Sequence, residues 1–330
     1  MISDKVPDLS RPGIHSGEIL FKDISLKDYA CHFDGLEKTT LLQAPLYAAY
    51  ARQAYQQTSS CVLVEINGHP AGLCLLQEAA ILGKLIHAVI LDRGPLWFKG
   101  FGSSNHLEMF FRHFNKKYPN RAGRRRRLIP EAENTPAVTS ALRNAGLVKN
   151  RKYPGYQTIW LDLRPTQDTL RRDLRGKWRN CLRKAEKRGV EVDFYTNVQT
   201  AAWILSAHAR DRAAKGYQGP SIKNLGRICH IAAASNDLVC AVAKDQGKIV
   251  AGQIFLRHGK SATYQVGWTD TPGRDLNAGY AIMWQSLSYL KSGNINFLDL
   301  GGVNDKDAAG VKHFKSGLGG DFLELSGQYK

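Results

Sequence analysis

The chain has 330 residues, an apolar fraction of 43% and a formal net charge of +17. That length accommodates two domains of ordinary size, each with its own core, and the apolar share is that of a soluble globular protein. The first twenty residues hold no apolar run, and no uninterrupted apolar stretch approaches a membrane span, so neither a signal peptide nor a membrane-spanning segment is expected. Cys31, Cys61, Cys74, Cys181, Cys229 and Cys240 form no C-x-x-C pair, and the histidines form no ligand cluster. Reduced core cysteines in a cytoplasmic protein are expected, with no metal site.

The charge is unevenly placed. Residues 101–227 carry 27 Lys and Arg against 10 Asp and Glu, and the two signs cancel over the remainder. A basic excess confined to the middle of the chain points to a surface facing a polyanion: nucleic acid, anionic lipid headgroups or a nucleotide-linked substrate.

In chain order, residues 1–16 read as a loose leader. A helix is expected over Ala44–Gln56. Cys61-Val-Leu-Val-Glu-Ile, a turn at Asn67-Gly68 and Ala71-Gly-Leu-Cys-Leu-Leu read as a hairpin. An analogous unit follows about 180 residues later, Leu238-Val-Cys-Ala-Val-Ala, a turn at Asp245-Gln-Gly247 and Ile249-Val-Ala-Gly-Gln-Ile-Phe. Both carry Ala-Gly just after the turn, which suggests two copies of one α/β unit. Between them, a strand near His87–Leu91 leads to Arg93-Gly-Pro, and a helix is expected over Asn105–Asn115. If Arg124-Arg-Arg-Arg127 lies on a strand, alternation sends two arginines to each face. Deep burial without partners is then excluded. Gln157–Leu163 reads as a strand closing the first domain, and the second is expected to span residues 164–330.

A basic helix is expected over residues 167–188, with Thr166 as N-cap and Gly189 at the C-cap. Leu170, Leu174, Trp178, Cys181, Leu182 and Ala185 fall within about 120° of a helical wheel, a buried stripe. Arg171, Arg172, Arg175, Lys177, Arg179, Arg183, Lys184, Lys187 and Arg188 occupy the rest. Like charges four residues apart repel by a few tenths of a kcal/mol per pair, which a bound anion would relieve; the last-turn cations also suit the helix dipole. Gly216-Tyr217-Gln-Gly-Pro-Ser reads as a substrate-facing loop. Tyr264 and Trp268 on a strand either stack on a ligand or fill core. Asn277-Ala-Gly-Tyr-Ala opens a helix to Leu290.

Near the end, Asn294-Ile-Asn-Phe-Leu-Asp-Leu-Gly-Gly-Val303 alternates like a half-buried strand running into Gly301 and Gly302, where the backbone can turn sharply or admit a ligand. Asp307-Ala-Ala-Gly-Val-Lys-His-Phe-Lys-Ser-Gly-Leu-Gly-Gly-Asp321 then sets Val311 and Phe314 one helical turn apart, with Lys312 and Lys315 beside them.

Asp299-Leu-Gly-Gly followed by Gly310-Val-Lys-His-Phe-Lys-Ser-Gly-Leu-Gly-Gly resembles the C-terminal signature of the Fem family, aminoacyl-tRNA-dependent transferases that build peptidoglycan cross-bridges and are related to GNAT-fold N-acyltransferases. The resemblance recurs at Leu41-Leu-Gln-Ala-Pro-Leu-Tyr47, Arg93-Gly-Pro-Leu-Trp97, Ile129-Pro-Glu131 and Gly146–Val190. It implies an α/β chain of two tandem GNAT-like domains, residues 1–163 and 164–330, without a coiled-coil arm. It also implies transfer of an amino acid from aminoacyl-tRNA to an amine of a peptidoglycan precursor, lipid II or a UDP-MurNAc-peptide. The alternative donor is acyl-CoA or an acyl-carrier thioester, for which Asn277-Ala-Gly resembles the end of the GNAT phosphate loop, although Leu276 stands where Gln or Arg is usual. No bound cofactor is implied beyond these co-substrates, and the expected state is a cytoplasmic monomer, with peripheral contact to an anionic membrane.

Lys315 would stabilise the oxyanion and Phe314 would place it; Asp299 is a candidate proton acceptor or a brace for the loop. Substrate and phosphate contacts are expected from Lys177, Arg179, Arg183, Arg52, Arg93, Tyr217, Tyr264, Gly301 and Gly302, and tRNA contacts from Arg124, Arg125, Arg126, Arg127, Arg171, Arg175, Lys184 and Lys187. The chain departs from the family at Ala51, where a lysine is usual and Arg52 follows. At Trp97-Phe98-Lys99 it lacks the aspartate usual in members that use a UDP-linked muropeptide.

Overall fold

The computed structural model describes residues 17–83, 85–216, 219–303 and 309–330. The expected leader and Tyr217 lie outside them. The first half runs β1 (Ile19–Ile24), α1 (Leu26–Asp34), α2 (Pro45–Tyr55), β2 (Thr58–Ile66), β3 (His69–Ile81), β4 (Ile86–Gly94), β5 (Leu96–Trp97), α3 (Ser104–Lys117), β6 (Arg124–Pro130) and α4 (Pro136–Asn144). The second runs β7 (Gln157–Asp162), α5 (Gln167–Asp173), α6 (Gly176–Lys187), β8 (Val192–Tyr195), α7 (Val198–Lys215), α8 (Ile222–Ala234), β9 (Leu238–Asp245), β10 (Lys248–His258), β11 (Ser261–Thr269), α9 (Thr271–Asp275), α10 (Ala278–Ser292), β12 (Phe297–Asp299), α11 (Ala309–Ser316) and β13 (Asp321–Glu324).

The two halves repeat one plan. The first sheet is ordered β1-β2-β3-β4-β6, with β5 on β3, and the second is ordered β13-β7-β12-β11-β10-β9-β8. In each half a strand, a helix pair, an antiparallel hairpin, a third strand, a helix and a parallel strand follow one another. The hairpins are those expected from the alternating runs, turning at Asn67-Gly68 and at Gln246-Gly247. The duplication is therefore present in the topology.

The helix pairs α1/α2 and α7/α8 face each other, and a shared core runs between the halves. Tyr29, Phe33, Leu63, Leu73 and Leu75 from one half pack in it with Ile204, Ile228, Leu238, Ile254 and Leu256 from the other. Aliphatic and aromatic burial of this kind contributes roughly 25 cal/mol per Å2 of apolar surface removed from water. A polar seam adds direction: the Thr39 hydroxyl donates to the His258 carbonyl at 2.6 Å, and the Thr39 N–H donates to Ser261 Oγ at 3.0 Å. His258 is buried, and desolvation pushes its pKa down to about 3, so the seam holds a neutral ring.

Two expectations about boundaries are corrected. Gln157–Asp162 does not close the first domain. As β7 it pairs antiparallel with β12 and β13 inside the second sheet, because its alternate residues Ile159 and Leu161 complete the second core. In return, the segment after β13 crosses to the first half: Tyr329 bridges Leu128 and Lys149, and Leu325 bridges Glu133. The basic helix is also two helices. Thr166 caps the first through its side chain, as expected, but Leu174 is extended (φ −61°, ψ 134°), so α5 ends and α6 restarts at Gly176. The break lets the Arg175 N–H bond the Gly317 carbonyl at 2.9 Å, which ties the start of α6 to the segment after α11.

Tyr329 is 2% exposed and packs with the first-half core. Tyr329→Ala is expected to lower stability by about 3–5 kcal/mol, measured by urea denaturation with a first-half and a second-half tryptophan read separately; the first-half probe is expected to lead.

Candidate active site

The site forms where two parallel strands part. β11 and β12 are paired only at Ser261↔Phe297, Ala262↔Leu298 and Thr263↔Asp299. Beyond that point β11 continues along β10 to Thr269, whereas the other chain turns at Gly301 and follows β7, with the Leu300 and Val303 N–H groups bonding the Ile159 and Gln157 carbonyls. Gly301 has φ +70°, and a Cβ there would lie 2.9 Å from the Tyr264 carbonyl oxygen. Both facts require glycine. The equivalent strands of the first half, β4 and β6, stay paired from His87↔Arg124 to Gly94↔Pro130. The repeated fold therefore opens in the second half.

Lys315 spans this opening. Its side chain is 6% exposed; Nζ donates to the Gly302 carbonyl at 2.8 Å and stands 5.4 Å from the centre of the Tyr264 ring. Among the described residues no carboxylate pairs with it. Burial pushes its pKa down to about 8, against the opposing pull of the Asp299 carboxylate. An ammonium held by one carbonyl and a ring face, with little water, is a strong electrostatic donor to any charge developing beside it. Phe314, next in the chain, forms an aromatic trio with Trp178 of α6 (5.9 Å between centroids) and Tyr280 of α10 (5.1 Å). Gly317 allows the Trp178 ring to approach, since a Cβ there would meet it at 2.5 Å. These contacts set the lysine's helix against the start of the basic helix.

Behind the glycine turn lies a buried ion network. Arg93, at the end of β4, grips Glu131 through Nε and through Nη2 (2.9 Å), and donates Nη1 to Asp299 at 3.3 Å. Asp299 also accepts the Gly301 N–H at 2.8 Å and contacts the Thr158 hydroxyl. Burial alone depresses the Arg93 pKa, but Glu131 and Asp299 outweigh it and leave the group above its ordinary value. Tyr156 covers the guanidinium at 5.1 Å, and burial raises its phenol pKa. One expected role changes accordingly. Arg93 is a buried clamp rather than a substrate-facing cation, and Asp299 braces the turn, one of the two roles expected for it.

The remaining expected residues divide by whether the protein already uses them. Arg171 is bidentate to Glu186 (2.8 and 2.6 Å), and Arg179 donates to the Arg172 and Leu174 carbonyls, covering the end of α5. Arg124 reaches His87 and the Pro119 carbonyl, Arg126 reaches Asn115 and the Tyr118 carbonyl, and Arg127 pairs with Asp92. These arginines each bond to neighbours within the protein. Lys177, Arg183, Lys184, Lys187, Arg175, Arg125 and Arg52 are exposed and make no ion pair among the described residues. An open cavity of about 550 Å3 lies at the break between the two helices, lined by Thr166, Asp168, Arg171, Arg172 and Arg179.

Some site residues carried no sequence signal. Lys38 holds its ammonium 4.0 Å over the Trp160 ring, and burial lowers its pKa even with Glu131 and Asp299 nearby. Tyr156 and Thr158 fit only a strand pattern. The partnership of Arg93 with Asp299, 206 residues apart, is visible only in three dimensions.

Comparison with known proteins shows the fold. Residues 172–316 match a family model described as an acetyltransferase (GNAT) domain. Among solved structures, FemX aligns at a TM-score of 0.77 with 14% identity, over 94% of this chain and 96% of that one. L-PGS from Bacillus licheniformis aligns at 0.53 with 11% identity over 93% and 92%. A tandem GNAT protein from the clavulanic acid biosynthesis pathway aligns at 0.50 with 11% identity over 94% and 98%. No curated protein sequence matches. The chain has the GNAT fold in tandem form, and part of its second half matches an acetyltransferase (GNAT) domain.

Removing one member of a buried charge cluster strands its partners, which typically costs 3–5 kcal/mol. Arg93→Ala is expected to lose about that much stability in chemical denaturation, whereas Arg52→Ala, on the exposed face of α2, changes it by less than about 0.5 kcal/mol.

Proposed function

We propose that the protein transfers an aminoacyl group from aminoacyl-tRNA to the amine of a peptidoglycan precursor or a similar acceptor. The observation that carries this reading is Lys315, a buried ammonium that among the described residues has no carboxylate partner, in the opening between β11 and β12. The acceptor amine adds to the ester carbonyl carbon and a C–N bond forms. The C–O bond to the ribose then breaks, and the amine's proton leaves with the ribose oxygen. Negative charge on the carbonyl oxygen peaks between these events, and Lys315 meets it there. One such donor is worth about 3–4 kcal/mol. The ester is already activated, so the route requires no covalent enzyme intermediate.

The exposed cations Lys177, Arg183, Lys184 and Lys187 lie on α6, which the Trp178–Phe314 contact sets beside the lysine's helix. They supply a track for the phosphates of the tRNA acceptor end. A second reading, an acyl-CoA-dependent N-acyltransferase, is favoured by the acetyltransferase match and by the start of α10. There Asn277 is left-handed (φ 59°) and no side chain caps the helix, leaving first-turn N–H groups for a pyrophosphate. Incubation with charged tRNA and, separately, with acyl-CoA decides between them by which donor is consumed; consumption of acyl-CoA alone overturns the proposal.

Lys315→Met is expected to lower turnover about 10²–10³-fold and, at pH 7, to raise stability by about 1–3 kcal/mol. The sign follows from the lowered pKa. Below about pH 8 the group is charged in both the folded and the unfolded chain, so the whole cost of burying it is present. That cost fades as pH rises from about 8 to the ordinary value of 10.5, and the stability gain of the variant should shrink over the same interval in denaturation curves.

A further inference from the structure

We propose that the tip of the β3–β4 hairpin docks the protein on an anionic lipid bilayer. Four large apolar side chains in six positions are exposed there: Ile81 (62%), Leu82 (71%), Leu85 (64%) and Ile86 (52%). Single exposed leucines are ordinary; a cluster at one projecting tip is not. The tip overhangs the sheet on both sides. β2 begins opposite Glu78, three residues before β3 ends, and β6 begins opposite His87, one residue after β4 starts.

The overhang is tied to the basic loop between α3 and β6. The Arg121 guanidinium donates to the Leu85 carbonyl at 3.1 Å and the Ala122 carbonyl at 3.0 Å. Gly123 (φ +77°) brings its loop so close that a Cβ would lie 2.4 Å from the Leu85 oxygen. Leu82 itself has φ +52°, a region that L side chains rarely adopt, yet its side chain packs into no core. Residues 116–127, from the end of α3 into β6, contain seven Lys or Arg and no acidic residue, and residues 79–91 contain none either. The nearest carboxylates are occupied: Glu78 faces His87 and Ser60 inside the fold, and Asp23 pairs with Lys117.

An apolar wedge within a cationic collar matches the bilayer interface, where the side chains enter the acyl boundary and the collar meets anionic headgroups. A nucleic acid would satisfy the arginines but leave the aliphatic tip in water. A second copy would bring an equally basic collar against the first, on a chain whose net charge is +17. β4 runs from this tip to Arg93, seven residues along, a span of about 23 Å. The docking face and the Lys315 site therefore lie toward opposite ends of one strand.

The test uses the full chain and sedimentation with vesicles of phosphatidylcholine, alone or mixed with an equal part of phosphatidylglycerol. Binding to the mixed vesicles alone, falling with salt, is expected. L82S/L85S should weaken it at least ten-fold, with acyl transfer to a water-soluble acceptor unchanged, and Arg125→Glu should weaken it several-fold. The emission of Leu82→Trp should shift to the blue when mixed vesicles are added. Three results overturn the proposal. L82S/L85S could bind vesicles as the parent does; the Leu82→Trp emission could stay put; or L82S/L85S could abolish self-association or capture of an acidic protein with no vesicle binding by the parent.

Discussion

The structure depends on one buried ion cluster, in which Arg93 of the first half holds Glu131 of the same half and Asp299 of the second. Each charge would be costly in so dry a place; together, with the Gly301 N–H and the Thr158 hydroxyl completing the carboxylate's bonds, they satisfy one another. The geometry then propagates. Asp299 fixes the turn at Gly301, the turn presents the Gly302 carbonyl, and that carbonyl receives Lys315. A cation in the first half thus positions the backbone against which Lys315 of the second half rests. The apolar core between the helix pairs supplies most of the adhesion, and the ion cluster supplies the register.

The repeat also shows how one fold can carry a site in one copy and a strut in the other. The parallel pair β4/β6 is zipped along its length, with Arg124 to Arg127 alternating over its two faces. The corresponding pair β11/β12 separates after three residues because the chain leaves β11 for β7, a strand with no counterpart in the first sheet among the described residues. Borrowing β7 as an extra neighbour draws the glycine turn aside and makes room for a side chain between the strands.

Much of this was legible in the residues. Period-two alternation and Asn-Gly or Gln-Gly turns gave both hairpins, because a strand with one buried face must alternate. Paired glycines followed by a lysine on a short helix marked the candidate site, because packing alone rarely calls for that combination. Other features were not legible, for physical reasons. Leu174 suits a helical stripe, and the bonds that accompany the break there, from Arg175 to Gly317 and from Arg179 to Leu174, depend on partners the pattern does not show. Arg93 and Asp299 look equally well suited to solvent or to substrate, and their mutual burial depends on the docking of two halves. Gln157–Asp162 has the pattern of any core strand; which sheet it joins is set by partners far away in sequence.

The crossing of the segment after β13 back to β6 has a consequence for how the protein is made. Translation delivers the first sheet almost whole, yet the groove that takes Tyr329 stays empty until nearly two hundred further residues have left the ribosome. Throughout that interval the nascent first half exposes an apolar slot, along with the helix faces that α7 and α8 later cover. The first half is therefore completed only when the last residues of the second arrive.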